Sequence, residues 1–447
     1  MAAQAATKAE PDTICALASG AGRSGVAVIR ISGPAAREVV VQLCGSLPQP
    51  RRASLRKLAD PRSGASLDRG LVLWFPAPAS FTAEDMAELH VHGGRAVVAR
   101  VLDAVLAVSG VRLAEAGEFA HRAFANGKLD LTEVEGLADL INAETEVQAR
   151  QALAQAEGAG RALYEAWRDQ LLRALALTEA GLDFSDEADV AANVAVEADA
   201  IADQLLTAIT AYLADRRGER LREGFRVVIA GAPNAGKSSL LNALARRDVA
   251  IVSEEAGTTR DVIEVHLDLA GLPVIVTDTA GLREAKGAVE KEGIKRALAS
   301  MEEAELVLWV VDAVTPQWTP LPPQIAVKNP LITALNKIDL APSVAGGDLR
   351  VSAMTGAGIE ALVACLTERA QAALGAGEGG SAVTRARHRA ELAGTVAALE
   401  RFRSQTGGSE LKAEELRAAA HHLGRLTGRL DVEEVLGAIF SEFCIGK

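Results

Sequence analysis

The chain has 447 residues, so two or three domains are expected, because one hydrophobic core seldom organises so long a chain. Hydrophobic residues make up 49% and charged residues 24%, as in soluble globular proteins, and the net charge of -12 argues against an unspecific nucleic-acid coat protein. No apolar run reaches the ~20 residues that span a bilayer. The four scattered cysteines suggest neither a zinc site nor a disulfide framework, which favours a reducing, cytoplasmic location.

Four regions that differ in composition and hydrophobic pattern follow one another along the chain. Residues 1–128 contain short alternating runs separated by Gly, Pro and Ser, which predicts an α+β domain. Residues 129–223 are rich in Ala, Glu and Leu, with apolar residues at helical spacing. Strand and helix patterns alternate over 224–380, as in a domain with an α/β sheet. Apolar residues at helical spacing return over 381–447. The sequence therefore predicts a multidomain α/β protein in which an α/β domain is inserted into an all-α helical domain.

Two patterns in the first region mimic ligand sites. The loop "GAGRSG" fits the dinucleotide motif G-x-G-x-x-G, but the residues after it alternate like a strand instead of opening a helix. His90 and His92 have metal-like spacing, but no neighbouring residue completes a ligand set. A glycine-rich hairpin and strand histidines are the favoured interpretations.

The segment "FRVVIAGAPNAGKSSLLNAL" is the strongest signal in the chain. An apolar strand runs into Gly231-x-x-x-x-Gly236-Lys237-Ser238 and a helix pattern follows, which predicts a P-loop. Backbone N–H groups of such a loop surround phosphates, the lysine reaches the β and γ oxygens, and the Ser238 hydroxyl ligates Mg²⁺. The P-loop residues expected at the nucleotide are Asn234, Ala235, Gly236, Lys237, Ser238 and Ser239.

A later segment, "LITALNKID", indicates which base is bound. It brings Asn336, Lys337 and Asp339 to a predicted strand end. The Asp339 carboxylate can accept both the N1–H and the 2-amino N–H of guanine, a donor pattern that adenine lacks. The segment "VSAMTG" adds Ser352 and Ala353 in a loop beside the base. The order and spacing of these motifs predict GTP as the ligand.

Two further segments belong at the γ-phosphate. "PVIVTDTAG" ends a predicted strand in Asp278, a second carboxylate for Mg²⁺, and "AGTTRD" supplies Thr258 and Thr259, one of which should meet the metal. The residues of the first segment that follow the strand are Thr279, Ala280 and Gly281. Ras-like enzymes have a water-orienting glutamine next, but this chain has Leu282. Either hydrolysis is negligible or another residue positions the water, and Asn234 is a candidate ligand for a monovalent cation in place of an arginine finger.

Segments unrelated to GTP extend the pattern over the whole chain. They include "GVAVIRISGPAAREV", "LWFPAPASFTAEDMAELHVHGG", "AGEFAHRAFANGKLDLTEVEGLADLI" and the terminal "FCIGK". Together with the nucleotide motifs they resemble the tRNA-modification GTPase family TrmE, also called MnmE, from Asp12 to Lys447.

The resemblance implies three parts: an N-terminal α+β domain that binds 5-formyl- or methylene-tetrahydrofolate and mediates homodimerisation, a helical domain, and an inserted Ras-like P-loop GTPase domain. It also implies an FAD-containing partner, MnmG (GidA), that forms a heterotetramer with the dimer. Together the two proteins of this family place an aminomethyl or carboxymethylaminomethyl group on C5 of the wobble uridine of certain tRNAs. The family's G domains pair across the dimer, with stimulation by K⁺.

The resemblance also assigns roles to residues by motif. It implies a K⁺ site formed by Asn234 and the loop Ser253 to Thr258, which includes Glu255, and Mg²⁺ ligands at Ser238 and Thr259. It implies that Glu290 orients the catalytic water, and Lys237 and Asn234 are further candidate catalytic residues. The implied folate contacts are Arg30, Glu88, Lys128 and Lys447. Cys444 matches a near-terminal cysteine of the family and is a candidate catalytic thiol. Ser253 and Glu255 depart from the family's usual threonine and apolar residue.

The terminal segment and two basic runs leave alternatives open. The terminal "CIGK" fits a lipidation box poorly, so a tail that leaves a packed helix and points Cys444 at the folate site is favoured over a membrane anchor. The runs "RRGERLREGFR" and "TRARHR" are either solvated faces or contacts to tRNA phosphates.

Overall fold

The computed structural model divides into two compact units, one formed by Met1–Ala138 with Leu423–Lys447 and the other by Asp139–His422. The residues that the structure describes are 12–20, 22–183, 188–247, 249–251, 264–278, 299–316, 329–375, 383–405, 408–430, 433–441, 443 and 446. Each unit has its own six-stranded sheet and its own hydrophobic core.

The first unit is built on a mostly antiparallel sheet. Its strands are β1 (Thr13–Leu17), β2 (Ser24–Ser32), β3 (Ser54–Ala59), β4 (Ser66–Phe75), β5 (Met86–Gly93) and β6 (Val111–Leu113). They lie in the order β3-β4-β5-β2-β1-β6, and only β1 and β6 run parallel. The helices are α1 (Ala36–Cys44), α2 (Arg95–Leu106), α3 (Glu118–Ala125) and α4 (Leu131–Ile141).

The two faces of this sheet differ because side chains alternate along each strand. Ile29 and Ile31 of β2 are fully buried in a core shared with α1 and α2, and burying such a side chain contributes about 1.5–3 kcal/mol. Arg30 lies between them in sequence and therefore projects from the opposite face, where it is the register partner of Glu88 on β5. The alternation that buries the core thus places an arginine and a glutamate side by side.

The two ligand-like patterns of this region have structural roles. The loop "GAGRSG" leads into β2, so the prediction that the residues after this loop form a strand is confirmed. His90 and His92 lie on β5, as predicted, where His90 pairs with Glu88 and His92 with Asp68. Within the described residues no group of His, Cys, Asp and Glu side chains is arranged to hold a metal ion.

Two cysteines of the first unit are shielded from water. Burial raises the pKa of the Cys15 thiol to about 11. Burial also raises the pKa of Cys44 to about 11, although the charge of Arg56 acts to lower it. Both thiols are therefore protonated at neutral pH and suited to packing instead of nucleophilic chemistry.

Helices form much of the second unit. Its helices outside the second sheet are α5 (Glu146–Ala156), α6 (Ala159–Asp183), α7 (Ala188–Ala214), α8 (Arg217–Glu223), α11 (Ala386–Ser404) and α12 (Ser409–Leu426), the last of which continues into the first unit. α6 packs against α7, and the buried residues Trp167, Leu171, Leu205 and Ile209 follow the predicted helical spacing. In the described part of the chain, no helix has both the length and the apolar character that crossing a membrane requires.

The second sheet is mostly parallel. Its strands are β7 (Phe225–Gly231), β8 (Glu264–Leu269), β9 (Leu272–Asp278), β10 (Leu306–Asp312), β11 (Leu331–Asn336) and β12 (Leu349–Arg350), with helices α9 (Lys237–Ala245) and α10 (Ile359–Leu374). The order is β12-β11-β10-β7-β9-β8, and β8 alone runs antiparallel to its neighbour. The strand order reverses between β7 and β10, and ligands of open α/β sheets bind at the carboxyl ends of the strands at such a point.

Ion pairs join the segments that precede and follow this sheet. Asp139 Oδ1 accepts hydrogen bonds from Arg222 at 2.9 Å and from Arg385 at 2.7 Å. Glu219 accepts from Arg389 at 2.6 Å. These arginines belong to the two basic runs, so a share of the charge in both runs is neutralised within the protein.

Candidate functional site

The loop between β7 and α9 has the geometry of an anion site. Gly236 caps α9 in a left-handed conformation with φ 91°, and a Cβ atom there would overlap the Asn336 amide nitrogen, so only glycine fits. Helix α9 begins at Lys237, and the N–H groups of a helix's first turn have no partners within the helix. An anion beside Gly236 is therefore stabilised by both hydrogen bonds and the helix dipole.

Lys237 and Ser238 of this loop each have close hydrogen-bond partners. Lys237 is 6% exposed, and its ammonium donates to the carbonyls of Gly231 at 3.2 Å and Ala232 at 2.9 Å. Ser238 Oγ donates to Asp278 Oδ2 at 2.6 Å, and the Asp278 carboxyl lies fully buried at the end of β9. A hydroxyl and a carboxylate at this distance are the hard oxygen ligands that suit Mg²⁺. Among the other P-loop residues, Ala235 is buried, whereas Ser239 is exposed.

The end of β11 contacts the P-loop directly. Asn336 is 1% exposed, donates to Ala235 O at 2.9 Å and accepts from Ala353 N at 3.1 Å. Asp339, the acidic residue of the predicted base-selecting motif, follows on the surface and is exposed. Ser352 is buried, and its hydroxyl accepts a hydrogen bond from Thr355 N, which shapes the neighbouring loop. The base-selecting motif and the phosphate loop thus form one site.

Lys337 is fixed by two partners. Its ammonium donates to Asn234 O at 2.8 Å and pairs with Asp312 Oδ2 at 2.6 Å. Burial acts to raise the pKa of Asp312, but the hydrogen bond and charge of Lys337 hold that pKa below its usual value. Sequence reasoning missed Asp312, although "LVLWVVD" ends a strand in an acidic residue just as "PVIVTD" does. That shared pattern is the signal that could have found it.

A second candidate site lies on the face of the first unit's sheet from which Arg30 projects. A cavity of about 370 Å³ is lined by Arg30, Glu88, Arg51, Phe75 and Phe81, among others. The Arg30 guanidinium donates to Glu88 Oε1 at 3.1 and 3.2 Å and lies 5.6 Å from the Phe81 ring centroid. The cavity therefore combines aromatic surfaces with a few placed polar groups, as small-molecule sites do.

The C-terminal segment reaches this face. Helix α13 (Glu433–Ser441) packs against α3, where the rings of Phe440 and His121 meet edge to face at 4.9 Å. Gly446 has φ 107° and lies so close to Leu17 of β1 that a Cβ atom would overlap the Leu17 carbonyl. Its own carbonyl accepts from Arg30 at 3.4 Å. Arg30, Glu88 and Gly446 are thus brought together.

Of the remaining predicted residues, one lies away from the cavity and ten lie outside the described part of the chain. Lys128 is exposed in the turn after α3, and it is not among the described residues that line the cavity. Ten further predicted residues lie outside the described residues: Ser253, Glu255, Thr258, Thr259, Thr279, Ala280, Gly281, Glu290, Cys444 and Lys447. Their roles stay predictions.

Comparison with known proteins identifies the family. A family model described as "MnmE helical domain" matches residues 131–444, and one described as "GTP-binding protein TrmE N-terminus" matches residues 13–128. The chain belongs to the MnmE family of tRNA modification GTPases. The family predicted from the sequence is therefore confirmed.

Relatives match over almost the full length. A protein of Parvibaculum lavamentivorans named "tRNA modification GTPase MnmE" is 53% identical over 442 residues, which cover 98% of this chain and all of the relative. A protein of Methylobacterium radiotolerans with the same name is 52% identical over 446 residues, with coverage of 98% and 100%. The solved G domain of the T. maritima FeoB iron transporter is 28% identical and covers 33% of this chain and 98% of its own, with a TM-score of 0.24.

The family membership confirms two predictions made from the sequence. The fold class, an N-terminal α+β domain with a helical domain and a P-loop GTPase domain, agrees with the two family models and with the two sheets. The enzyme class, a GTPase of tRNA modification, is that of the MnmE family.

Proposed function

We propose that the protein hydrolyses GTP to GDP and phosphate in order to drive a tRNA modification whose one-carbon donor binds in the first unit. The observation that carries this proposal is the presence of two sites of different chemistry in one chain. One joins a P-loop to a guanine-selecting loop through Asn336, and the other sets the Arg30–Glu88 pair in an aromatic cavity. A GTPase that acted only as a switch would have no use for the second site.

In the nucleotide site each residue has a chemical task. Lys237 and the amides of the loop balance the charge of the β- and γ-phosphates, and Asp339 accepts the two N–H donors of guanine. Ser238, Asp278 and Thr259 are proposed to hold Mg²⁺ directly or through water, and the metal neutralises charge that develops on the phosphates. Ser352 and Ala353 shape the loop beside the base, and Thr279, Ala280 and Gly281 follow the Mg²⁺ carboxylate.

Water activation needs a residue other than Leu282. We propose that Glu290 orients the attacking water and that K⁺ is held by Asn234 with the loop of Ser253, Glu255 and Thr258. Two features of Asn234 support this: it is exposed, and its backbone is fixed in the left-handed region at φ 63°.

In the first unit, the cavity suits the pterin ring of 5-formyl- or methylene-tetrahydrofolate. Glu88 presents a carboxylate to ring N–H donors, and the Arg30 guanidinium keeps that carboxylate in place. Phe81 offers an apolar surface for stacking. Lys128 and Lys447 are proposed as cationic contacts to the anionic part of the cofactor, and Cys444 as a thiol near its one-carbon group.

The finer reaction follows the family. We propose that the protein acts as a cytoplasmic homodimer with the FAD protein MnmG, as a heterotetramer, on C5 of the wobble uridine of certain tRNAs. The product carries an aminomethyl or carboxymethylaminomethyl group. G-domain pairing stimulated by K⁺ is proposed to accompany hydrolysis.

Mass spectrometry of wobble uridines in tRNA from cells that lack the gene tests this function. The modified uridine should disappear, return with the wild-type gene, and fail to return with Lys237→Ala or Glu88→Gln. Uridine content equal to that of wild-type cells would contradict the proposal. If Glu88→Gln restored the modified uridine and Lys237→Ala did not, the proposed role of the cavity would be contradicted. The assignment as a GTPase would still stand.

A further inference from the structure

The ion pair between Asp312 and Lys337 joins the end of β10 to the loop after β11. Asp312 is the register partner of Asn336, so its side chain lies beside the start of the guanine-selecting motif. Its Oδ2 atom pairs with Lys337 Nζ at 2.6 Å, and its Oδ1 atom accepts from Val314 N at 2.8 Å. The carboxylate is 15% exposed and both of its oxygens are engaged, so it is held in one orientation.

The same ammonium bridges to the P-loop. Lys337 Nζ donates to Asn234 O at 2.8 Å. Both Lys337 and Asn234 have left-handed backbones, with φ 66° and φ 63°. Residues other than glycine persist in that region only where their surroundings hold them. The hydrogen bond between these two residues therefore stabilises two unfavourable backbone conformations.

We propose that Asp312 is a positioning residue for guanine-nucleotide binding. By fixing the Lys337 ammonium against the Asn234 carbonyl, it keeps the base-selecting loop and the phosphate loop at one spacing. Guanine and phosphates are the two ends of one ligand, so affinity depends on that spacing being set before binding. The bond from Asn336 to Ala235 O is a second link, so the loss of Asp312 weakens the site without dismantling it. This inference rests on the proposed GTP site.

A purely structural role for Asp312 would give a different result in binding measurements. The carboxylate also caps the Val314 N–H and could do no more than stabilise that turn. The substitution Asp312→Asn preserves shape and the Oδ1 acceptor but removes the charge that pairs with Lys337. A role in positioning therefore depends on Lys337, whereas a role in the turn does not.

Titration of the full-length protein with a fluorescent GDP analogue tests the proposal through a double-mutant cycle. We expect D312N to raise the Kd about tenfold, the scale of a lost hydrogen bond between charged groups. In the Lys337→Met background the same change should alter the Kd less than about twofold, because the partner is already missing. Asp312→Glu, which retains the charge, should recover part of the affinity.

Asp348→Asn is the matched control. Asp348 also accepts a backbone N–H of this sheet, from Thr333 at 2.7 Å, but no described contact joins it to Lys337. D348N should leave the Kd unchanged. An unchanged Kd for D312N, or an equal loss in both backgrounds, would overturn the inference. If D312N does not fold, Asp312→Ser removes the same charge and is measured in the same way.

Failure of the wild-type protein to bind GDP would instead overturn the proposed site, and this inference with it.

Discussion

At the scale of single residues, one carboxylate in the second unit serves two arginines that are distant in sequence. Arg222 lies in α8, before β7, and Arg385 immediately precedes α11, yet both donate to Asp139 Oδ1. The Asp139 carboxylate is 16% exposed and Arg385 9%, so water screens this pair only in part. Removing one partner of a shielded pair costs more than the pair's net contribution, because the remaining charge loses its compensation.

We expect Asp139→Asn to destabilise the second unit. Two guanidinium groups would then face a neutral amide, and the loss should be about 1–3 kcal/mol, below the range for fully buried pairs because the groups are partly exposed. Urea unfolding monitored by circular dichroism measures this change. Glu146→Gln is the control, since Glu146 pairs with Arg150 on an exposed helix face. An effect of D139N no larger than that of E146Q would contradict the prediction.

At the scale of elements, the C-terminal helix meets α3 through an aromatic contact. Phe440 is 7% exposed and contacts both the ring of His121 and the ring of Phe443, at centroid distances of 4.9 and 6.2 Å. The next part of the chain continues to Gly446, whose carbonyl bonds to Arg30. Helix α13 therefore ends a few residues before the point at which the chain contacts Arg30, a residue that lines the cavity.

Phe440→Ala should loosen α13 without unfolding the sheet. A buried Phe→Ala change costs about 3–5 kcal/mol, more than a nine-residue helix can absorb. Hydrogen exchange read by mass spectrometry should show faster exchange in α13, with the strands of the first unit still protected. Gly437→Ala lies in the same helix with no atom near the added Cβ and should leave exchange unchanged or slower. Uniformly faster exchange across the unit would contradict this local picture.

At the scale of the whole molecule, strand patterns, strand ends and motif order were predictable from the sequence, whereas pairings across the fold were not. Asp278 and Asn336 could be placed because an apolar run ends at each of them, and parallel strands end at one edge. The contacts of Asp312 with Lys337 depend on strand register, which local patterns do not specify. A tail directed at the folate site was expected from the sequence and the family resemblance, but the bond from Arg30 to the Gly446 carbonyl was not, because no local pattern encodes that contact.

In the first unit, ion pairs between two carboxylates and two arginines make the stability of the fold depend on pH in the acid range. Burial acts to raise the pKa of Glu118, but hydrogen bonds from Arg112 and Arg122 hold it below its usual 4.5. Burial likewise opposes the same two arginines at Asp12, whose pKa lies below its usual 3.8. A carboxyl whose pKa is lowered by folding stabilises the fold above its unfolded pKa, and this stability is lost as the pH falls through the folded value.

Thermal unfolding should therefore show a midpoint that falls as the pH is lowered from about 4.5. Arg112→Met removes a partner of both carboxylates and should flatten this pH dependence, while the midpoint at pH 7 also decreases. Arg52→Met is the control, because Arg52 is an exposed arginine of the same unit that bonds to the Gln49 amide and forms no ion pair with a described carboxylate. An equal slope in wild type and R112M would show that other groups control acid unfolding.

The shielding of Cys15 and Cys44 has a consequence for chemical labelling. With a pKa of about 11, roughly one thiol in ten thousand at either position is ionised at pH 7, and alkylating reagents attack the thiolate. Brief alkylation of the folded protein should leave both sites unmodified, so any mass added by the reagent reports on Cys365 and Cys444. Substituting Cys365 by serine then isolates the near-terminal thiol, whose alkylation rate with and without a folate ligand would measure how closely it approaches the cavity.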